Sequence, residues 1–161
     1  LDALVHCAGS IAPSLIVRMA PQAFDDIVCA HLKGAFLCTQ AAARIMKKRK
    51  GGAIVYVGSM LGLKGVAGEC NYAAAKAGLI ALAKSAAREL GRWNIRVNVA
   101  LPGYMRTAMG LAAPIAIIRA AKQANVLRRW TDPRDSAQMI VALSRAEWIS
   151  GQVFNLDGRI L

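Results

Sequence analysis

The chain has 161 residues, of which 56% are hydrophobic, and it carries a formal net charge of +12. This length suggests one domain, 1–161, with enough apolar residues to form a core. No apolar run approaches the roughly 20 residues of a membrane-spanning helix, and no stretch resembles a secretory signal peptide. We therefore expect a cytoplasmic protein without a membrane partner.

The excess of 21 lysines and arginines over nine acidic residues raises the question of an acidic partner. Nucleic acid or an anionic cofactor would both fit such a charge. The densest basic run, at 44–50, falls at the end of a predicted helix, where cations complement the helix dipole. Because this run is not interleaved with aromatic residues, we expect no nucleic acid and keep nucleic-acid binding only as a lesser alternative.

The thiol and imidazole groups do not form a metal-binding pattern. The cysteines show no C-x-x-C pairing, and neither histidine has metal-ligand spacing to them. These residues are Cys7, Cys29, Cys38, Cys70, His6 and His31. We expect reduced, mostly buried thiols and no metal site.

Strands and helices alternate along the chain. Apolar or alternating runs predict strands at 1–9, 53–58, 95–100 and 152–156. Helical spacing predicts helices at 21–50, 71–91 and 133–144, with one or two short helices in 108–123. The apolar face of helix 21–50 is expected to hold Phe24, Val28, His31, Ala35, Thr39, Ala42 and Met46. This order predicts an α/β fold with a parallel doubly wound sheet, and helices 21–50 and 71–91 on one face.

A serine, a tyrosine and a lysine lie around the start of helix 71–91. Tyr72 and Lys76 are four residues apart, so on a helix they share one face. An ammonium within a few ångströms favours a phenolate and should lower the pKa of Tyr72. Ser59 follows strand 53–58, at the sheet edge where α/β proteins bind ligands. The three residues are typical of a general acid/base with a tuning and an orienting group, although any tyrosine and lysine at this spacing would give the same pattern.

Six features in order resemble the short-chain dehydrogenase/reductase family over the whole sequence. Five of them are the segments LVHCAG (4–9), HLKGAF (31–36), NVALPGYMRT (98–107), LRRWTDPRD (127–135) and ISGQVFNLDG (149–158). The sixth is the spacing of Ser59, Tyr72 and Lys76, which matches the family's catalytic serine, tyrosine and lysine. Within the family the 3-oxoacyl-(acyl-carrier-protein) reductase type is the most similar, and enzymes of sugars, steroids and small alcohols share the same motifs.

The resemblance implies an NAD(P)-dependent oxidoreductase that interconverts a small-molecule carbonyl and an alcohol by hydride transfer. Tyr72 would protonate the carbonyl oxygen, and Ser59 would hold that oxygen by a hydrogen bond. Lys76 would lower the pKa of Tyr72 and bind the nicotinamide ribose. The cofactor, NADP or NAD, would contact Tyr72 and Lys76 and also Cys7, Ala8, Gly9, Pro102, Gly103, Met105 and Thr107.

One family motif is missing. The G-x-x-x-G-x-G turn, which holds the pyrophosphate at a helix N-terminus, does not occur in the 161 residues. We therefore expect an N-terminally truncated protein, the C-terminal catalytic part of a Rossmann fold, without the residue that selects NAD or NADP. The alternative function is a non-catalytic remnant or association module that does not bind cofactor.

Three single residues also depart from the family pattern. His31 stands where the family has the asparagine of a proton relay, so it is either the relay group or a packed histidine. Arg159 replaces the second glycine of a D-G-G ending. Cys7 replaces an asparagine and is expected to be a small buried filler.

The resemblance further implies a homodimer or homotetramer formed through helices 21–50 and 71–91. Residues 104–130 would cover the substrate. Their apolar side chains predict either an apolar lid or helices packed on the sheet; these residues are Met105, Met109, Leu111, Ile115, Ile117 and Ile118.

Overall fold

The computed structural model describes residues 1–160. Four strands form one parallel sheet in the order β1-β2-β3-β4. Their bounds are β1 (Ala3–His6), β2 (Gly52–Val57), β3 (Ile95–Leu101) and β4 (Val153–Asn155). Parallel neighbours cannot be joined by a tight turn, so helices make the crossovers. The predicted α/β fold with a partial doubly wound parallel sheet is confirmed.

The predicted helix 21–50 is one helical segment with a π-helical turn inside it. It consists of α1 (Pro21–Val28), the π turn (Cys29–Lys33) and α2 (Gly34–Arg49). Ile27 is buried in α1, whereas Phe24, predicted on the buried face, is 38% exposed. A π turn adds a residue to the helical turn and so offsets the faces on either side of it. The predicted burial of Phe24 was therefore wrong, whereas the predicted positions Ala35, Thr39, Ala42 and Met46 are buried in α2.

The remaining helices follow the prediction closely. They are α3 (Leu61–Lys64), α4 (Cys70–Leu90), α5 (Ala108–Leu111), α6 (Ile115–Ala124) and α7 (Pro133–Arg145). The short α3, inside the glycine-rich loop, and a 3-10 turn (Gly91–Trp93) after α4 were not predicted. Among residues 1–160 no helix is long and apolar enough to cross a membrane, and the same residues contain no group of three or more potential metal ligands.

Helices cover both faces of the sheet. On one face, α2 and α4 pack with the strands into a core that includes Ile54, Tyr56 and Leu79. On the other, Leu143 of α7 packs against Val55. The predicted common face for helices 21–50 and 71–91 is confirmed. The central strands are consequently buried on both sides, as their continuous apolar sequences require.

The cysteines are more exposed than expected. Cys7, Cys29 and Cys38 are exposed and Cys70 is partly exposed, and all four are free thiols. The prediction of mostly buried thiols, with Cys7 as a buried filler, was wrong. Cys7 follows the last residue of β1, a strand with only one neighbour in the sheet, so its side chain is not covered.

One polar contact lies inside the core. The hydroxyls of Thr39 on α2 and Tyr56 on β2 are 2.5 Å apart, and Tyr56 has no exposed surface. Burial raises the pKa of Tyr56, and the hydrogen bond with Thr39 opposes this shift. Each hydroxyl therefore depends on the other, because a buried hydroxyl without a partner is costly.

We expect Thr39→Val to lower the free energy of unfolding by about 1–3 kcal/mol, since it leaves the Tyr56 hydroxyl buried and unpaired. Tyr56→Phe should lower the free energy of unfolding by a smaller amount, because the Thr39 hydroxyl can turn to a carbonyl of its own helix. Urea unfolding of both single variants and of the double variant measures this. Additive losses in the double variant would contradict a coupled pair.

Candidate active site

The candidate residues lie at the edge of the sheet where the strands end. Ser59 follows β2 after one glycine, and Pro102 and Gly103 follow β3 directly. A Cβ on Gly58 would come within 2.7 Å of Leu101, so only glycine lets the chain leave β2 this close to β3. The end of β2 in the sheet therefore determines where Ser59 lies. This is the edge at which parallel α/β sheets bind ligands.

Ser59, Tyr72 and Lys76 come together as predicted. Tyr72 and Lys76 lie in the first turns of α4, with the Lys76 ammonium 5.4 Å from the centre of the Tyr72 ring. The Ser59 side chain is near enough to the phenol to lower its pKa. A Cβ on Gly62 would come within 2.7 Å of the Lys76 backbone, so α3 packs tightly on α4 beside the lysine.

The ammonium of Lys76 is buried but paired with a backbone carbonyl. The side chain is 4% exposed, and Nζ donates a 2.7 Å hydrogen bond to the oxygen of Val57, the last residue of β2. Burial lowers the pKa of Lys76 to about 8, and a charge interaction with Cys7 acts in the opposite direction. The lysine thus remains mostly charged at neutral pH and is close to its titration range.

The phenol of Tyr72 does not show the expected pKa shift. Burial raises its pKa, the hydrogen bond with Ser59 lowers it, and the charge of Glu69 raises it further. The expectation that Lys76 would lower this pKa is wrong, since the pKa is raised and Lys76 is not among the groups that shift it. Tyr72 is therefore a protonated phenol at neutral pH, which suits a proton donor.

His31, in the π turn, packs against Tyr72. The two rings meet edge to face, with centres 5.1 Å apart and planes at 88°, and His31 is 2% exposed. Its Nε2 lies 2.7 Å from the carbonyl oxygen and 3.1 Å from the amide nitrogen of Ser10. Within residues 1–160 its Nδ1 is buried without a hydrogen-bond partner.

The charge state of His31 follows from its surroundings. Burial lowers its pKa, the Ser10 backbone raises it, and the charges of Lys76 and His6 lower it. The imidazole is neutral at pH 7. The chain also needs a glycine beside it, because a Cβ on Gly9 would lie 1.9 Å from the ring.

The predicted cofactor-binding residues fall into two groups. Cys7, Ala8 and Gly9 are exposed after β1 and adjoin the three candidate residues through His31 and Lys76. The second group is Pro102, Gly103, Met105 and Thr107. Met105 pairs with Thr131, and Thr107 accepts a hydrogen bond at the start of α5. Gly103 also lies against Thr131 and Asp157, so this group is supported by the segment around 131 and by the chain after β4.

Asn71 is a buried residue that the sequence analysis missed. It has no exposed surface, and its Oδ1 accepts a 2.8 Å hydrogen bond from the Tyr72 amide. Its Nδ2 donates to the carbonyl oxygens of Ala12 and Ala23, at 3.1 and 3.3 Å. Asn71 thus joins the loop after β1 and α1 to the residue beside the phenol. The available signal was a polar amide in an otherwise alanine-rich helix start.

The segment predicted to cover the substrate leaves its apolar side chains exposed. Neither α5 nor α6 contains a buried residue. The exposed residues are Met109, Leu111, Ile115 and Ile117. These four side chains therefore do not pack onto the sheet as the second alternative required, whereas Met105 and Ile118 are partly buried.

Known proteins resemble this chain along its whole length. The family model described as enoyl-(acyl carrier protein) reductase matches residues 1–158. The 3-oxoacyl-(acyl-carrier-protein) reductase FabG of Thermotoga maritima is 38% identical over 100% of this chain and 66% of its own length. MabA of Mycobacterium tuberculosis, which is also named a 3-oxoacyl-(acyl-carrier-protein) reductase, is 38% identical over 98% of this chain and 65% of its own length.

A relative that is named for a different activity is equally similar. The 3alpha-hydroxysteroid dehydrogenase of Mediterraneibacter gnavus is 38% identical over 98% of this chain and 64% of its own length. The chain therefore spans about two thirds of the length of these curated relatives. The family match over nearly all residues agrees with the motifs, the fold and the grouped serine, tyrosine and lysine. The chain belongs to the short-chain dehydrogenase/reductase family.

Proposed function

We propose that this chain supplies the acid/base site of an NAD(P)-dependent oxidoreductase that interconverts a carbonyl and an alcohol. The observation that carries the proposal is the partly buried, protonated phenol of Tyr72 near the Ser59 side chain and the Lys76 ammonium. Relatives named 3-oxoacyl-(acyl-carrier-protein) reductase and 3alpha-hydroxysteroid dehydrogenase support this reaction class. Both names also fit the exposed apolar surface of α5 and α6, so we infer a substrate with a large apolar part.

The residues present fit the nicotinamide–ribose part of NADP or NAD. Lys76 has ammonium hydrogens beyond the one given to Val57, and Cys7 is near enough to influence its pKa. Exposed backbone at 7–9 continues this surface. Tyr72 and Lys76 would hold ribose hydroxyls, and the turn from Pro102 to Thr107 would adjoin the carboxamide and phosphates. When bound, the nicotinamide supplies or accepts the hydride.

The side chains of this site would move one proton. In reduction, the Ser59 hydroxyl and the Tyr72 hydroxyl donate hydrogen bonds to the substrate carbonyl oxygen. As negative charge develops on that oxygen, Tyr72 transfers its proton and becomes a phenolate. A proton that returns to the phenolate completes the cycle. In oxidation the same groups act in reverse, with the phenolate as base.

His31 is proposed as a positioning residue for the Tyr72 ring, with the proton-relay role as the competing assignment. Its neutral imidazole contacts the ring edge to face and is held by the Ser10 backbone. Edge-to-face aromatic contacts of this kind contribute about 0.5–1.5 kcal/mol. The contact would limit rotation of the phenol away from Ser59.

A second candidate function is a non-catalytic association module. The open edge of β1, where Val5 is 40% exposed, and a groove of about 310 Å³ between α2 and α4 favour it. Phe36, Leu82 and Trp93 line this groove, which also suits a homodimer or homotetramer through these helices. Titration with NADPH and NADH separates the functions: saturable binding supports the oxidoreductase, and a folded chain that binds neither supports the module.

The location of the proposed enzyme is inferred to be the cytoplasm. Four free thiols are typical of a reducing compartment.

Replacing Tyr72 with phenylalanine should reduce kcat/KM for carbonyl reduction by about 10²- to 10⁴-fold, because it removes the proton donor. Steady-state kinetics with NADPH or NADH measure this. The matched control is Tyr56→Phe, which removes a phenolic hydroxyl from the core and should leave kcat/KM within about threefold at 25 °C. Undiminished activity in Tyr72→Phe would exclude the assigned role.

Replacing Lys76 with methionine should reveal the cost of its buried charge. In the folded protein the pKa of Lys76 is lowered from 10.5 to about 8. Between these values the unfolded chain binds more protons, so wild-type stability rises with pH in this window. Relative to Lys76→Met, the wild type should gain on the order of 3 kcal/mol from pH 7.5 to 10.5. Urea unfolding at several pH values measures the difference, and a pH-independent difference would contradict a buried ammonium.

Two substitutions of His31 separate positioning from proton relay. His31→Phe keeps an aromatic edge against Tyr72, and His31→Asn restores the residue type of the family's relay but removes the ring. Positioning predicts that kcat falls about 2- to 10-fold in His31→Asn and less in His31→Phe. The opposite order, with activity retained in His31→Asn, would assign His31 to the relay.

A further inference from the structure

The last residue of β4 and the chain after it form a turn that contacts several distant segments; residues 155–160 are called the C-terminal turn. It carries the arginine that departs from the family's D-G-G ending. The proposed chemistry does not use any of its side chains. Its contacts nevertheless reach both loops that flank the candidate site.

An ion pair shapes the C-terminal turn from within. Arg159 Nε lies 2.5 Å from Asp157 Oδ2, and the two side chains are 15% and 1% exposed. The Arg159 amide also donates to Asp157 Oδ1 at 2.9 Å. Asn155 Nδ2 donates to the Arg159 carbonyl at 2.6 Å. A carboxylate buried to this degree needs such a partner, because an unpaired buried charge is strongly unfavourable.

The buried carboxylate of Asp157 supports the turn after β3. A Cβ on Gly103 would lie 2.3 Å from Asp157 Cβ and 2.0 Å from Thr131 Oγ1, so the Gly103 backbone rests directly on both side chains. Thr131 is itself paired with Met105. The turn from Pro102 to Thr107 is therefore fixed from the side of Asp157 and Thr131.

Three further contacts anchor the C-terminal turn. Lys64, at the end of α3 and five residues after Ser59, donates from Nζ to the Ile160 carbonyl at 3.0 Å. The Val126 amide donates to the Gly158 carbonyl at 2.9 Å, and Asn125 pairs with Arg159. The C-terminal turn thus contacts the end of α3 that follows Ser59, the connector after α6 and the turn after β3.

We propose that Arg159 is a positioning residue: its ion pair with Asp157 makes the C-terminal turn a brace that holds the Pro102–Gly103 turn in place. The Pro102–Gly103 backbone held by this brace would adjoin the cofactor. An effect of Arg159 on cofactor binding therefore rests on the proposed function. A glycine at position 159 has no side chain to pair with Asp157. The chain then keeps the loop but loses the pairing that holds Asp157 against Gly103.

Arg159→Gly tests the brace, and it should fold because it restores the residue of the family's ending. Hydrogen exchange followed by mass spectrometry should show amides of 103–107 and 61–65 exchanging about 3- to 10-fold faster, with β2 and β3 unchanged. Asp157→Asn should reproduce this pattern, and Arg159→Lys should restore part of the protection. Arg18→Gly, at an exposed arginine of another turn, is the matched control and should change neither segment.

Kinetics then test the functional consequence separately. In Arg159→Gly the KM for the cofactor should rise about 3- to 10-fold, because the turn at 103–107 is less well ordered. The kcat should stay within about twofold of the wild-type value. Unchanged exchange at 103–107, or faster exchange throughout the protein, would overturn the brace whatever the activity. If the wild type shows no cofactor turnover, the proposed function fails while the exchange data still decide the brace.

Discussion

The hydrogen bond from the Lys76 ammonium to the Val57 carbonyl joins the helix that carries the candidate acid to the strand that leads to the serine. It fixes α4 against the end of β2 at 2.7 Å. One backbone carbonyl does not replace the hydration of an ammonium, so the lysine keeps a pKa lowered to about 8. Groups with pKa values perturbed in this way are common at functional sites.

Loops form part of the candidate site, and buried polar groups fix them in place. Asn71 holds the loop after β1 to the start of α4, and the Ser10 backbone holds His31 against Tyr72. On the far side, Asp157 supports Gly103. Each of these contacts fixes a residue of the candidate site or of the turn beside it. Such supporting contacts are what keep reactive side chains within the small tolerance that catalysis requires.

Several sequence-based expectations failed for one common reason. The exposure of Cys7, the orientation of Phe24 and the direction of the Tyr72 pKa shift all depend on which atoms surround a side chain. Spacing indicates that a lysine shares a helix face with a tyrosine, but not that its ammonium turns to a strand carbonyl. In the same way, a helical stripe does not reveal a π turn that rotates one half against the other.

The sequence by itself determined the order of strands and helices, the parallel sheet and the family, because hydrophobic periodicity and motif spacing are local properties of the chain. It also identified Ser59, Tyr72 and Lys76 as a group. Only the tertiary structure decided the charge states of that group, the contact of His31 with the phenol, and the connection of Arg159 to Gly103 through Asp157. These features depend on desolvation and on contacts between residues distant in sequence, which spacing along one chain does not encode.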